Sequence, residues 1–242
     1  MTRVAILPAL NEEQGIGEAV AAIQSGVVDE VIVVDNGSTD RTAERARAAG
    51  ARVVHEPARG HGAACMAGVR AAPYASVYVF LDGDASENLG RLGDLIGIVE
   101  RGGARLVLGV REGEVEPGLM PWQQRFGNRL LTLLLRTLSG AAVRDLPSLK
   151  VVDGPTLRSL CPRERTYGWT AELISRAAFR QIEIGQVATG MRRRRGRSKV
   201  SGSMVNSVRA GWGIASTIVR VWREERRARV DAPPQAPPRA QL

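Results

Sequence analysis

The stretch Val77-Tyr78-Val79-Phe80-Leu81-Asp82-Gly83-Asp84 decides how the chain folds. Five apolar residues read as a buried strand, and Asp-Gly-Asp ends it. A second run ends alike: Val31-Ile32-Val33-Val34 is followed by Asp35-Asn36-Gly37-Ser38-Thr39-Asp40. Asp and Gly are also ordinary turn residues, so either segment alone is weak evidence of a site. In open parallel sheets, however, ligands bind outside the carboxyl ends of the strands, where two acidic strand ends can share one crevice. Carboxylates this close raise each other's pKa unless a cation lies between them. Mg²⁺ and Mn²⁺ take oxygen ligands, usually one or two carboxylates with substrate phosphates completing the shell. Asp82 and Asp84 therefore point to a divalent metal and a nucleoside-diphosphate substrate.

Strand-like and helix-like runs alternate around this stretch. Val4 to Leu7, Val31 to Val34, Arg52 to Val54, Val77 to Leu81 and Arg105 to Val110 read as strands. Gly15 to Ser25, Arg41 to Ala49, His61 to Ala71 and Leu89 to Arg101 read as helices. The alternation predicts an α/β fold, a mostly parallel sheet flanked by crossover helices. Gly113 to Pro121 reads as a mobile loop. Phe126 to Leu138 is a helix so rich in Leu that it is either buried or in contact with lipid. Val205 to Trp222 reads as an amphipathic helix with Val208, Trp212, Ala215, Ile218, Val219 and Trp222 on one face. Packing on the domain and lying on a membrane surface are its two fates. The expected organisation is a domain over residues 1–203, the amphipathic helix over 204–230, and a Pro- and Ala-rich disordered tail over 231–242.

At 242 residues the chain has room for one sizeable α/β domain. Aromatic residues are only 4% of the chain, so the core must rely on Val, Leu, Ile and Ala. Basic residues outnumber acidic ones 34 to 25, for a net charge of +9. That balance favours polyanionic or membrane-surface partners. Cys65 and Cys161 match no metal spacing and no disulfide framework, which fits a reduced cytoplasmic compartment. The N-terminus carries no export signal, and no stretch reaches the ~18 consecutive apolar residues of a membrane span.

In Leu7-Pro8-Ala9-Leu10-Asn11-Glu12-Glu13, Pro8 is expected to set a turn after the first strand and Asn11 to cap the next helix. Asp35 can accept hydrogen bonds from a ribose or a base, while Ser38 or Asp40 caps the helix near Arg41. Arg59-Gly60-His61-Gly62-Ala63-Ala64 joins a cation and two glycines to a helix start, an arrangement suited to pyrophosphate or to a plain loop.

Taken in order, Pro-Ala-Leu-Asn-Glu-Glu, Val-Asp-Asn-Gly-Ser-Thr-Asp-Arg-Thr, Arg-Gly-His-Gly-Ala-Ala and Leu-Asp-Gly-Asp-Ala-Ser resemble glycosyltransferase family 2. The likeness is to its dolichyl-phosphate mannose synthase-like branch. It continues through Phe126 to Leu130, Asp145 to Lys150, Tyr167 to Glu172 and Arg193 to Lys199. The chain differs from the branch at Asn36, where a second Asp is common, and at Pro147, Ser148 and Lys150. The resemblance implies the GT-A nucleotide-sugar fold and inverting, metal-dependent hexose transfer from UDP or GDP. It implies that Pro8, Leu10, Glu12, Asp35, Arg59, Gly60, Asp82 and Gly83 bind the donor nucleotide, and that Asp82 and Asp84 hold Mg²⁺ or Mn²⁺. Arg129, Lys150, Arg193, Arg195, Ser198 and Lys199 are expected at donor or acceptor phosphates. With a polyprenyl-phosphate acceptor, at the inner membrane face, no strong base is needed. With a hydroxyl acceptor, soluble or protein-bound, Asp145 and Glu172 are the candidate catalytic bases. The Arg tract also allows a non-catalytic nucleotide- or nucleic-acid-binding module, which phosphate binding outweighs.

Overall fold

The computed structural model describes residues 1–23, 26–112, 122–192 and 204–231, with side chains from residue 210 onward in the last segment. The expected loop over 113–121 and the expected tail over 231–242, apart from Asp231, which ends the last helix, lie outside the described residues.

The strands are β1 (Arg3–Ala9), β2 (Glu30–Asp35), β3 (Arg52–His55), β4 (Val77–Phe80), β5 (Leu106–Val110), β6 (Lys150–Asp153) and β7 (Ile184–Ala188). They form one sheet in the order β3-β2-β1-β4-β6-β5-β7. β3, β2, β1 and β4 run parallel, as the alternation predicts. β6 runs antiparallel to both β4 and β5, while β7 returns parallel to β5. Asp35 pairs in register with Ala9, and β4 ends at Phe80 opposite Ile6. The segments that follow β1, β2 and β4 therefore leave the sheet at the same edge.

The helices are α1 (Ile16–Ile23), α2 (Thr42–Ala48), α3 (His61–Ala71), α4 (Leu92–Glu100), α5 (Trp122–Ser139), α6 (Gly154–Leu160), α7 (Trp169–Phe179) and α8 (Met204–Asp231). Alternation along the strands splits the core in two. Ala5, Leu7, Val31, Val33, Val77 and Val79 meet α1, α2 and α4. Val4, Ile6, Ile32, Val34, Tyr78 and Phe80 meet α3, α6 and α7, with Leu135 of α5 and Ile218 and Val221 of α8.

Two local expectations change. β1 runs on through Pro8 to Ala9, past Ile6 where pairing to β4 ends, so Pro8 sits in a strand rather than setting the turn. Asn11 has a left-handed backbone (φ 49°), and its side chain accepts the Thr39 N–H at 2.7 Å instead of capping α1. The Glu12 carbonyl receives the first α1 amide, that of Ile16, at 2.9 Å.

α8 is amphipathic, but its inner face is rotated from the expected one. Thr217, Ile218, Val221 and Glu225 are buried, whereas Trp212 is 77% exposed. Ion pairs select this face: Glu225 receives Arg176 at 3.0 Å and Arg180 at 2.8 Å. Burying Ile218 and Val221 adds about 1.5–3 kcal/mol each to the docking of α8. No described helix is long and apolar enough to cross a membrane.

Candidate active site

The segments that leave β1, β2 and β4 open onto a cleft of about 730 Å³. Pro8, Leu10, Glu12, Arg59, Gly60, Asp82, Gly83 and Asp84 all face it, so eight of the residues expected at donor or metal come together. Asp35 does not line the cleft. It is buried at the end of β2, accepts the Ser38 N–H at 2.9 Å, and has Nδ1 of His55 3.1 Å away.

Asn36 explains the departure from a second Asp in this motif. Its amide nitrogen donates to the carbonyls of Glu56 and Ala58, both at 2.8 Å, and its oxygen accepts the Gly60 N–H at 2.8 Å. A carboxylate has no hydrogens for the two carbonyls. Asn36 thereby fastens the loop that carries Arg59 to the cleft.

The start of α3 is not an open anion cradle. Gly62 N–H donates to the Thr166 carbonyl at 3.2 Å and Ala63 N–H to the Arg165 carbonyl at 2.9 Å. The 164–166 loop presses so closely that a Cβ on Gly60 would stand 2.1 Å from the Arg165 carbonyl oxygen, and one on Gly62 2.2 Å from that of Glu164. Gly60 also has φ 137°, a conformation few other residues adopt. Here the glycines serve loop packing, and Arg59 is what the segment offers a phosphate.

Glu172 holds that loop and does not face the cleft. It is fully buried in α7, where one oxygen accepts the N–H groups of Arg163 at 2.8 Å and Glu164 at 2.5 Å. The other receives Arg176 at 2.9 Å, with Arg220 of α8 at 3.5 Å. All its lone-pair directions are engaged, so the geometry gives it a positioning role instead of a proton to take.

Asp145 is also closed. Arg111 approaches it in a fork, Nη2 to Oδ1 at 2.6 Å and Nε to Oδ2 at 2.9 Å, and the Arg111 and Leu146 N–H groups add bonds at 3.0 and 2.8 Å. Burial works to raise its pKa, but hydrogen bonds and charge from Arg111 outweigh it and hold the carboxyl below its ordinary value. A carboxylate so stabilised is a poor base. Arg111 itself lines the cleft.

Lys150 is only 1% exposed and lies under the cleft. Its Nζ donates to the Ser148 carbonyl at 2.7 Å and stands 5.5 Å from the centre of the Trp169 ring. Burial lowers its pKa, opposed by the carboxylates of Asp82 and Glu87. It does not line the cleft itself. Arg129 is exposed on α5 and does not line the cleft. Arg193, Arg195, Ser198 and Lys199 lie outside the described residues. Arg192, just before them, does line the cleft.

The sequence reading passed over Glu87. Its Oε1 accepts Ser148 O–H at 2.7 Å and Asp82 N–H at 3.2 Å, while Oε2 is buried with no hydrogen-bond partner. Burial and the charges of Asp82 and Asp84 push its carboxyl up to about 8. The signal was available as a third carboxylate five positions after Asp82.

This crowding of negative charge suits a cation. Among the described residues, no group of three or more His, Cys, Asp or Glu is placed to hold a metal by itself. Asp82 and Asp84 thus fit the kind of Mg²⁺ or Mn²⁺ site that substrate oxygens complete.

Known proteins match this architecture. The profile of Glycosyl transferase family 2 covers residues 4–153. An uncharacterized glycosyltransferase of Mycobacterium tuberculosis is 39% identical over 84% of this chain and 91% of its own length. The dolichyl-phosphate hexose transferase of Haloferax volcanii is 33% identical over 91% of this chain and 94% of its own. The structure of M. tuberculosis glucosyl-3-phosphoglycerate synthase with Mn²⁺, UDP-glucose and glycerol 3-phosphate superposes with a TM-score of 0.73 at 29% identity. It covers 92% of this chain and 80% of that one. The chain belongs to glycosyltransferase family 2 and has its GT-A fold.

Proposed function

We propose that the enzyme transfers a hexose from UDP or GDP to a polyprenyl phosphate at the cytoplasmic face of a membrane, inverting the anomeric centre with Mg²⁺ or Mn²⁺ at Asp82 and Asp84. The observation that carries the acceptor is the state of two carboxylates. Asp145 is closed by Arg111, and Glu172 is buried behind the 164–166 loop. A hydroxyl acceptor must give its proton to a base. A phosphate acceptor arrives with its oxygen already ionised.

The cleft offers cations for such a reaction, with Arg59, Arg111 and Arg192 on its walls. An acceptor phosphate oxygen forms its bond to C1 from the side opposite the leaving group. The C1–O bond to the nucleoside diphosphate breaks, and its electron pair leaves with the diphosphate. A bound divalent cation supplies neutralisation of the charge growing on that diphosphate. Arg59, held by Asn36 and Gly60, is suited to orient the diphosphate, and Arg192 to attract the acceptor phosphate. The whole-length likeness to a dolichyl-phosphate hexose transferase supports this reading.

Glu87 favours a second reading, in which the acceptor is a small phosphorylated hydroxyl compound and the unpaired oxygen of Glu87 takes the proton. The neighbours solved with phosphoglyceric acid support that alternative.

Donor turnover by purified protein, with and without Mn²⁺, tests the transferase and its metal together. Turnover should require the ion and fall by about 100-fold or more in Asp84→Ala. Full turnover in that variant contradicts the metal assignment.

A further inference from the structure

We propose that the outer face of α5 is a docking surface for an anionic lipid bilayer, beside the mouth of the cleft. Only Thr132 and Leu135 of this helix are buried. Trp122, Phe126, Leu130 and Leu133 are 65, 64, 57 and 59% exposed. At ~100° per residue these four fall within one quadrant of the helix. Large apolar side chains gathered on one helical face ordinarily meet a partner.

Charge selects the partner. Arg125, Arg129 and Arg136 are exposed along one border of the stripe, and α5 contains no Asp or Glu. A second copy of the same stripe, brought face to face, offers these arginines no carboxylate from its own α5. An anionic bilayer takes both features, with acyl chains meeting Trp, Phe and Leu while headgroups meet the guanidinium groups. The chain as a whole, at +9, is drawn the same way.

The stripe is also well placed. Gln124, between Trp122 and Phe126 in sequence, lines the cleft. So do Ala210 and Ile214 of α8, which flank the exposed Trp212 and belong to a helix packed on α5. The surface goes beyond the acceptor assignment, because it brings the cleft to a bilayer whether the acceptor is itself lipid or soluble.

Co-sedimentation with vesicles tests it without donor or acceptor. Full-length protein should pellet with phosphatidylcholine vesicles containing phosphatidylglycerol and much less with phosphatidylcholine alone. Replacing Trp122, Phe126 and Leu130 together by Ser should lower the bound fraction about tenfold or more. Tyr74→Ser, which removes another exposed aromatic ring, should leave binding unchanged. Unchanged far-UV circular dichroism and nucleoside-diphosphate binding in the triple variant check that the fold persists. Failure of the wild type to pellet overturns the proposal, and so does a triple variant that pellets like wild type. Light scattering that shows a wild-type dimer split by the triple variant, without vesicle binding, assigns the stripe to a second copy and also overturns it.

Discussion

Arg111 and Asp145 form a two-point ion pair at the edge of the cleft, with nitrogen–oxygen distances of 2.6 and 2.9 Å. It turns a carboxylate expected to be a base into the clamp of a cleft-lining cation. Because the folded-state pKa of Asp145 is depressed, its contribution to stability is complete above the unfolded value of ~3.9. It is lost as pH falls through the folded value. Asp145→Asn should therefore cost about 3 kcal/mol in urea denaturation at neutral pH. The gap should narrow below about pH 4, where the wild-type carboxyl also protonates. A gap independent of pH contradicts the pairing.

Glu172 separates positioning from catalysis. Glu172→Ala leaves two buried backbone N–H groups without an acceptor and takes from Arg176 one of its three carboxylate partners, and should cost about 3–5 kcal/mol. Glu172→Gln should cost less, and its folded fraction should keep the wild-type pH profile of kcat/KM. Loss of the acidic limb of that profile, where a catalytic base becomes protonated, would restore Glu172 as a base.

Asn36→Asp is a conservative change with a structural consequence. The two bonds to Glu56 and Ala58 lose their donor, at a cost of about 1–3 kcal/mol in thermal or urea denaturation. Calorimetry should show weaker UDP or GDP binding, because the loop bearing Arg59 is released. Donor affinity equal to wild type argues against that coupling.

Glu87→Gln tells the two acceptor readings apart. The amide oxygen can still accept from Ser148 and Asp82, so the loops stay joined. With a phosphate acceptor, transfer should stay within about tenfold of wild type, whereas loss of a general base costs about 100-fold or more. Steady-state rates with each acceptor decide it.

How much of this was legible in the sequence depends on the range of the interactions. The parallel strands and the acidic strand ends are local patterns, and residues 77–84 carry both. Antiparallel β6 is not local, since its partners Val77 to Phe80 lie far away in the chain. The burial of Glu172 follows from Arg176 one turn on, but also from Arg220 of α8, which helical periodicity does not reveal. The face of α8 was misjudged for the same reason. Hydrophobic spacing placed Trp212, Ile218 and Trp222 together; Ile218 is buried and Trp222 packs partly on the core, while the ion pairs of Glu225 turn Val221 inward and leave Trp212 outside. Lys150 looked like a phosphate ligand by its place in a motif, but strand alternation points it inward against Trp169.

The most direct test supplies labelled UDP-glucose or GDP-mannose, Mn²⁺, and either a polyprenyl phosphate or 3-phosphoglycerate, and then partitions the products between water and organic solvent. The account predicts metal-dependent label in the organic phase with polyprenyl phosphate and none transferred to 3-phosphoglycerate. Label found only in a water-soluble phosphoglycerate product would contradict it.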